Sequence, residues 1–167
     1  MPGEDPAKYQ IGDMIPVMNN VGQGKGVATY FPTSFKLAQH FCLENCQLTK
    51  VSSDKLDVIN VYRSANCTTF ETELQAIMTI KRPTIVCGDT NINVGPNPDE
   101  STSSFINFMS KLGFTQLVSG STHDKGGTID QVFVNSNLRE NITIRKPKIL
   151  FSDHDQIRII VKKLENS

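Results

Sequence analysis

The run Thr84, Ile85, Val86, Cys87, set between Pro83 and the pair Gly88, Asp89, constrains the fold more than any other stretch of the chain. It is continuous rather than alternating and too short for a helix, so it predicts a strand buried on both faces. Such a strand lies inside a sheet, with a neighbour on each side. It also delivers the next four residues, Gly88, Asp89, Thr90 and Asn91, to the rim of that sheet.

The neighbours can be read on either side of it. Cys46 to Val51 and Leu56 to Tyr62 alternate around a turn at Ser52, Ser53 and Asp54, which predicts a hairpin. Val27 to Phe31 come after Gly22, Gly24 and Gly26 and suggest a strand leaving a tight turn. Thr68, Thr69, Phe70, Glu71 has the form of a capping box, and Phe70, Leu74 and Ile77 continue at helical spacing, with Lys81, Arg82 and Pro83 expected to end that helix. A polar loop from Gly95 to Glu100 leads to a second amphipathic helix marked by Phe105, Phe108, Met109 and Leu112 and closed at Gly113. Thr128 to Val134, Ile142 to Leu150 and Gln156 to Val161 are rich in isoleucine and valine and predict three late strands. Helices falling between more numerous strands favour an α+β sandwich.

Residues 1–20 differ: Pro2, Pro6 and Pro16, Gly3, Gly12 and the pair Asn19, Asn20 predict an irregular segment ahead of a single domain over 21–167. With 38% hydrophobic residues the chain can bury a core. Its 17 basic and 17 acidic side chains cancel, so contact with nucleic acid would rest on a local patch and not on a global field. No apolar run is long enough for a membrane span or a signal peptide, which implies a soluble, intracellular chain. Cys42, Cys46, Cys67 and Cys87 are expected to be reduced thiols acting as small hydrophobes. A zinc site at His40, Cys42 and Cys46 would lack its second ligand pair.

Three polar clusters fall at the ends of expected strands. Gly88, Asp89, Thr90, Asn91 puts a carboxylate and a carboxamide on one side of the emerging backbone, although aspartate and asparagine are also common turn formers. Asp130 stands among Ile129, Val132 and Val134, where a buried carboxylate needs a donor such as histidine, and a solvent-facing position is the alternative. In Ser152, Asp153, His154, Asp155 the carboxylate of Asp153 is a hard ligand for magnesium or manganese, and His154 can act as acid, base or phosphate contact.

Taken in order along the chain, these motifs resemble the endonuclease/exonuclease/phosphatase family from about Gly24 to Val161. The resemblance implies a four-layer α/β/β/α sandwich of the DNase I-like type, here lacking its N-terminal strands, and a phosphodiesterase dependent on Mg2+ or Mn2+. It implies that Asp89 orients or deprotonates the attacking water, that Asn91 beside it is a phosphate or water ligand, and that Asp130 orients His154, which contacts the scissile phosphate or relays a proton. Asp153 would be a metal carboxylate, Tyr62 would approach the phosphate, and Arg63 would be a phosphate contact. Gly24 to Phe31, the Tyr62, Arg63 step, Gln116 to Val118, and Thr122, His123 ahead of Gly126 and Gly127 are similar to endonucleases of eukaryotic mobile elements. That likeness implies a DNA substrate, action in the nucleus, and a longer parent with reverse transcriptase or helicase regions. His123 itself is read as a surface loop histidine.

Members of the family begin with an asparagine-tipped strand and then a glutamate-tipped strand whose glutamate is the principal metal ligand. Glu4 comes after no apolar strand and is not read as that glutamate, so the chain is expected to start after the motif and to bind metal weakly. A catalytically silent remnant that only binds nucleic acid or protein therefore stands as the alternative to an active nuclease, and a phosphatase of the same fold as a further one.

Overall fold

The computed structural model describes residues 11–22, 25–43, 45–79, 81–95, 100–136, 138–147 and 151–162. Its centre is the expected strand. β6 (Thr84–Asp89) lies between β5 (Asp57–Arg63), to which it is parallel, and β8 (Asp130–Asn135), to which it is antiparallel. With β3 (Lys36–Leu43), β4 (Cys46–Ser52) and β7 (Phe114–Gln116) they form one six-stranded sheet in the order β3-β4-β5-β6-β8-β7. Thr84 to Val86 are buried, and Cys87 to Asp89 become half-buried as β6 reaches the rim.

One face of this sheet packs on two helices, α1 (Phe70–Ile77) and α2 (Glu100–Lys111). Phe70, Leu74, Phe105 and Met109 close against Leu48, Ile59, Val61, Val86 and Phe133, and Phe105 meets Phe133 edge-on with ring centroids 5.5 Å apart. Full burial of a side chain of this size contributes about 1.5–3 kcal/mol. The other face carries Ile85, Val132 and Val134, covered by Leu138 and by the two-stranded sheet of β9 (Ile142–Arg145) and β10 (Arg158–Val161). A second two-stranded sheet, β1 (Ile15–Gly22) with β2 (Lys25–Phe31), covers the β5 side of that face, where Asn60 Nδ2 donates to Ala28 O at 3.3 Å and Thr29 Oγ1 at 3.0 Å. The architecture is thus α+β, with helices, a central sheet and a second β layer. These are three of the four layers expected, and an outer helical layer on the far side is not among the described residues.

Several expectations are corrected. Residues 15–20 are not irregular but belong to β1; Pro16 is tolerated there because each strand of a two-stranded ribbon keeps one unpaired edge. Residues 1–10 lie outside the described residues. Helix α1 ends at Ile77, so Lys81 and Arg82 are not in its last turn, and its N-cap, Thr69, makes no side-chain capping bond. Glu71 and Glu73 in the first turn complement the helix dipole instead. Strand β9 stops at Arg145 and β10 starts at Arg158, shorter than their isoleucine-rich surroundings suggest. Cys42 and Cys46 are free and sit on opposite faces of the β3–β4 ladder, because Cys42 is opposite Gln47 while Cys46 is opposite Leu43. Burial pushes the Cys46 thiol up to about 12, so it is an inert core residue. Among the described residues, no helix is long and apolar enough to cross a membrane.

Candidate active site

Sheet register brings the site together. Gln47 on β4 is opposite Tyr62 on β5, Tyr62 is in register with Asp89 on β6, and Asp89 is opposite Asp130 on β8. Residues in cross-strand register point to the same face, so three strands present Tyr62, Asp89 and Asp130 in one row at one end of the sheet. The row can be this tight because of Gly88. A Cβ there would run into the backbone carbonyl of Val61, and its φ of +135° is one that other residues rarely adopt.

Asp89 is held by the turn immediately after it. Asn91 donates its backbone N–H to Asp89 Oδ1 at 2.9 Å and its side-chain amide to Arg63 O at 2.7 Å. Asn91 has a φ of +50°, the left-handed conformation that asparagine tolerates better than most side chains. Burial raises the Asp89 carboxyl above its ordinary range and the Asp130 charge adds to this, against the opposing Asn91 hydrogen bond and the two nearby histidines. A carboxylate so raised is a better base than a free one. Burial, with Asp89 behind it, likewise raises the Tyr62 hydroxyl.

Asp130 Oδ2 lies 2.8 Å from His154 Nδ1. A carboxylate only accepts, so the neutral ring carries its proton on Nδ1 and turns Nε2 outward. Burial disfavours the charged ring, but the hydrogen bond and charge of Asp130, then Asp89 and Asp153, outweigh it, and the His154 pKa is raised. The loop that carries His154 is tied to the segment before β8. Asp155 N–H donates to Thr122 O at 2.8 Å, and Asp124 N–H donates to Asp153 O at 2.9 Å.

Arg63, expected at a phosphate, is occupied in another way. Its guanidinium donates to Thr90 O at 3.1 Å, Cys67 O at 3.3 Å and Ala65 O at 3.4 Å, bracing the loop after β6 against the start of α1. Sequence reading also misses Thr122, which is fully buried and accepts from the Ile129 and Asp130 amides, each at 3.1 Å. It misses Asn93, whose Oδ1 accepts from Thr128 N–H at 2.9 Å, and it misplaces His123. Far from lying free on a surface loop, His123 is 14% exposed in its side chain and reaches Asp153 Oδ2 at 3.5 Å. These contacts join residues that are not neighbours in the chain, and spacing alone does not assign partners across a loop.

Among the described residues, two sets of donors could hold a cation: Asp89, Asp130 and His154, and His123, Asp153 and His154, each with one donor atom per residue within 4.8 Å of the others. Carboxylate oxygens suit Mg2+ or Mn2+, which take one or two carboxylates and complete their shells with water and phosphate oxygens. The donor chemistry therefore fits such an ion. Asp153, 70% exposed in its side chain, is the oxygen donor most open to it. Glu4, not read as the glutamate that the family resemblance calls for, lies outside the described residues.

The family model described as endonuclease-reverse transcriptase matches residues 56–158, more than half of the chain and every residue of the row from Tyr62 to His154. The chain belongs to this family. Among solved structures, this endonuclease-reverse transcriptase family member is similar to the endonuclease domain of TRAS1, a telomere-specific non-LTR retrotransposon. The TM-score is 0.72 at 16% identity, over 91% of this chain and 80% of that one. It is also similar to an endonuclease/exonuclease/phosphatase family protein from Leptotrichia buccalis, with a TM-score of 0.57 at 19% identity over 94% of this chain and 75% of that one. At these identities the likeness shows the DNase I-like fold. No curated protein matches the chain.

Proposed function

We propose that the chain is a divalent-metal-dependent phosphodiesterase that nicks DNA, an endonuclease of the mobile-element kind. The observation that carries this reading is the Asp130–His154 pair, 2.8 Å apart, placed beside Asp89 by the pairing of β6 with β8. Asp89 receives the proton of the attacking water, its basicity raised by burial and its orientation held by Asn91. His154, anchored through Nδ1, turns Nε2 to the scissile phosphate and, when protonated, donates to its oxygen. Tyr62 stands in the same row and contacts the phosphate from the other side of Asp89. Mg2+ or Mn2+ would be held by Asp153 and would supply neutralisation of phosphate charge when bound.

Nicking of a supercoiled plasmid in Mg2+ tests this reading, with Asp89→Ala and His154→Ala beside the wild type. Each variant should be slower by about 10²- to 10⁴-fold. Identical time courses for the three proteins would sink the enzyme reading. One observation favours the second reading, a silent remnant that binds nucleic acid or protein: among the described residues Asp153 has no second carboxylate in its donor set, which leaves a hard cation weakly held. Retained DNA binding without nicking in Mg2+ or Mn2+ would select it.

A further inference from the structure

The segment Gly120 to Gly127 forms a tightly cinched loop. Ser121 Oγ donates to His123 O at 2.7 Å, and Gly126 N–H donates back to His123 O at 2.8 Å. Within that loop the Lys125 backbone N–H points at His123 Nδ1, 3.0 Å away. A ring nitrogen that accepts carries no proton, so neutral His123 has its proton on Nε2. Nε2 itself lies 3.5 Å from Asp153 Oδ2, within ion-pair distance, and among the described residues it is the only side-chain partner of this carboxylate. The His123 and His154 rings meet edge to face, with centroids 4.7 Å apart and planes at 80°, and their backbones form an isolated antiparallel bridge. The two neighbouring histidines thus hold opposite tautomers, Nε2–H in His123 and Nδ1–H in His154.

We propose that His123 is a positioning residue of the site: its Nε2–H orients the Asp153 carboxylate, and its ring limits the rotation of His154. This rests on the roles of Asp153 and His154 under the proposed function. An exposed aspartate left to itself samples several rotamers, and a fixed donor preorganises it. The same three side chains could instead be a metal site of two histidines and a carboxylate. Coordination through His123 Nε2 needs the lone pair of that nitrogen and moves the proton to Nδ1, where it would oppose the Lys125 amide proton. The loop is therefore built for a donor at Nε2 and against a metal there.

Imidazole 15N NMR on the labelled protein reads the tautomers without any activity. The chain has three histidines, so the third, His40, serves as a reference. Above neutral pH, His123 should show the Nε2–H pattern and His154 the Nδ1–H pattern, and added Zn2+ should leave His123 unchanged. An Nδ1–H pattern at His123, or its appearance on adding Zn2+, would overturn the inference in favour of a metal ligand. Mn2+ affinity, followed by paramagnetic broadening, should fall about tenfold or more in His123→Asn and His123→Phe. His123→Gln places an amide N–H near the position of Nε2 and should restore it, and equal affinities in all four proteins would also overturn the inference. Opposite tautomers and the expected order of affinities in a protein that does not nick DNA would count against the nuclease reading alone.

Discussion

The same three strands end very differently at the two edges of the central sheet. At one edge, β5 begins with Asp57, which is 1% exposed and paired with Lys50 at 3.1 Å and Arg82 at 3.2 Å. Thr84 at the start of β6 and Asn135 at the end of β8 are joined there by a hydrogen bond of 3.1 Å. At the other edge, β6 ends in Asp89 directly opposite Asp130 at the start of β8, and among the described residues the ion-pair partner of Asp130 is His154. One carboxylate has two permanent cations and serves the fold; under the proposed function, two carboxylates beside one histidine serve chemistry. The difference shows where this fold accepts electrostatic strain, because strain near a reacting centre is useful only if the rest of the sheet is well satisfied.

The sharpest way to break this contrast is to make one substitution at both edges. Asp89→Asn should lower nicking by about 10²- to 10⁴-fold, yet raise the thermal midpoint at neutral pH. The sign comes from the raised Asp89 pKa: its stabilising contribution is complete below the ordinary value of 3.8 and is lost as pH rises through the folded value, so at pH 7 the ionised group destabilises the fold. Asp57→Asn should do the reverse, lowering stability in urea by about 3–5 kcal/mol because buried Lys50 loses its counter-charge. Its nicking rate per folded molecule should stay unchanged. A loss of midpoint in both variants would erase the distinction between the edges.

Gly88→Ala should affect both properties together, since the new Cβ meets Val61 O and the backbone conformation alone costs about 1–3 kcal/mol. Denaturant unfolding and nicking measured on one preparation would check that the two losses are coupled. The smallest expected effect is a pH dependence. His154 has a raised pKa, so its contribution is full below the ordinary value of 6.5 and is lost as pH rises through the folded value. Urea midpoints between about pH 6 and pH 9 should therefore fall more for the wild type than for His154→Gln; parallel curves would remove the Asp130 pairing as the cause.

How legible each element is in the sequence depends on how that element is stabilised. β5, β6, β8 and both helices bury regular apolar patterns, and those patterns are visible without partners. β3 escapes notice because Lys36 to Leu43 lies at the sheet edge with almost every side chain exposed, so neither burial nor alternation marks it. β7 has three residues, too few for any period. In the site, Asp89, Asn91 and Asp130 stand at the ends of legible strands while His154 lies in the loop between β9 and β10, and the family resemblance implies their roles. Thr122 and His123 act through contacts across a loop, and the basic character of Arg63 gives no hint that three carbonyls take its guanidinium.

The antiparallel pairing of β6 with β8 has a temporal consequence. The hairpin of β4 and β5 and the βαβ unit that continues from it are local in the chain and are synthesised before β8. Asp89 therefore reaches its rim well before Asp130 crosses to meet it, and the anchor of His154 exists only once β8 has docked and the loop leading to β10 has emerged. A partly synthesised chain holds a lone carboxylate and no acid. Under the proposed function, the row of Asp89, Asp130 and His154 comes together only after β8 has docked.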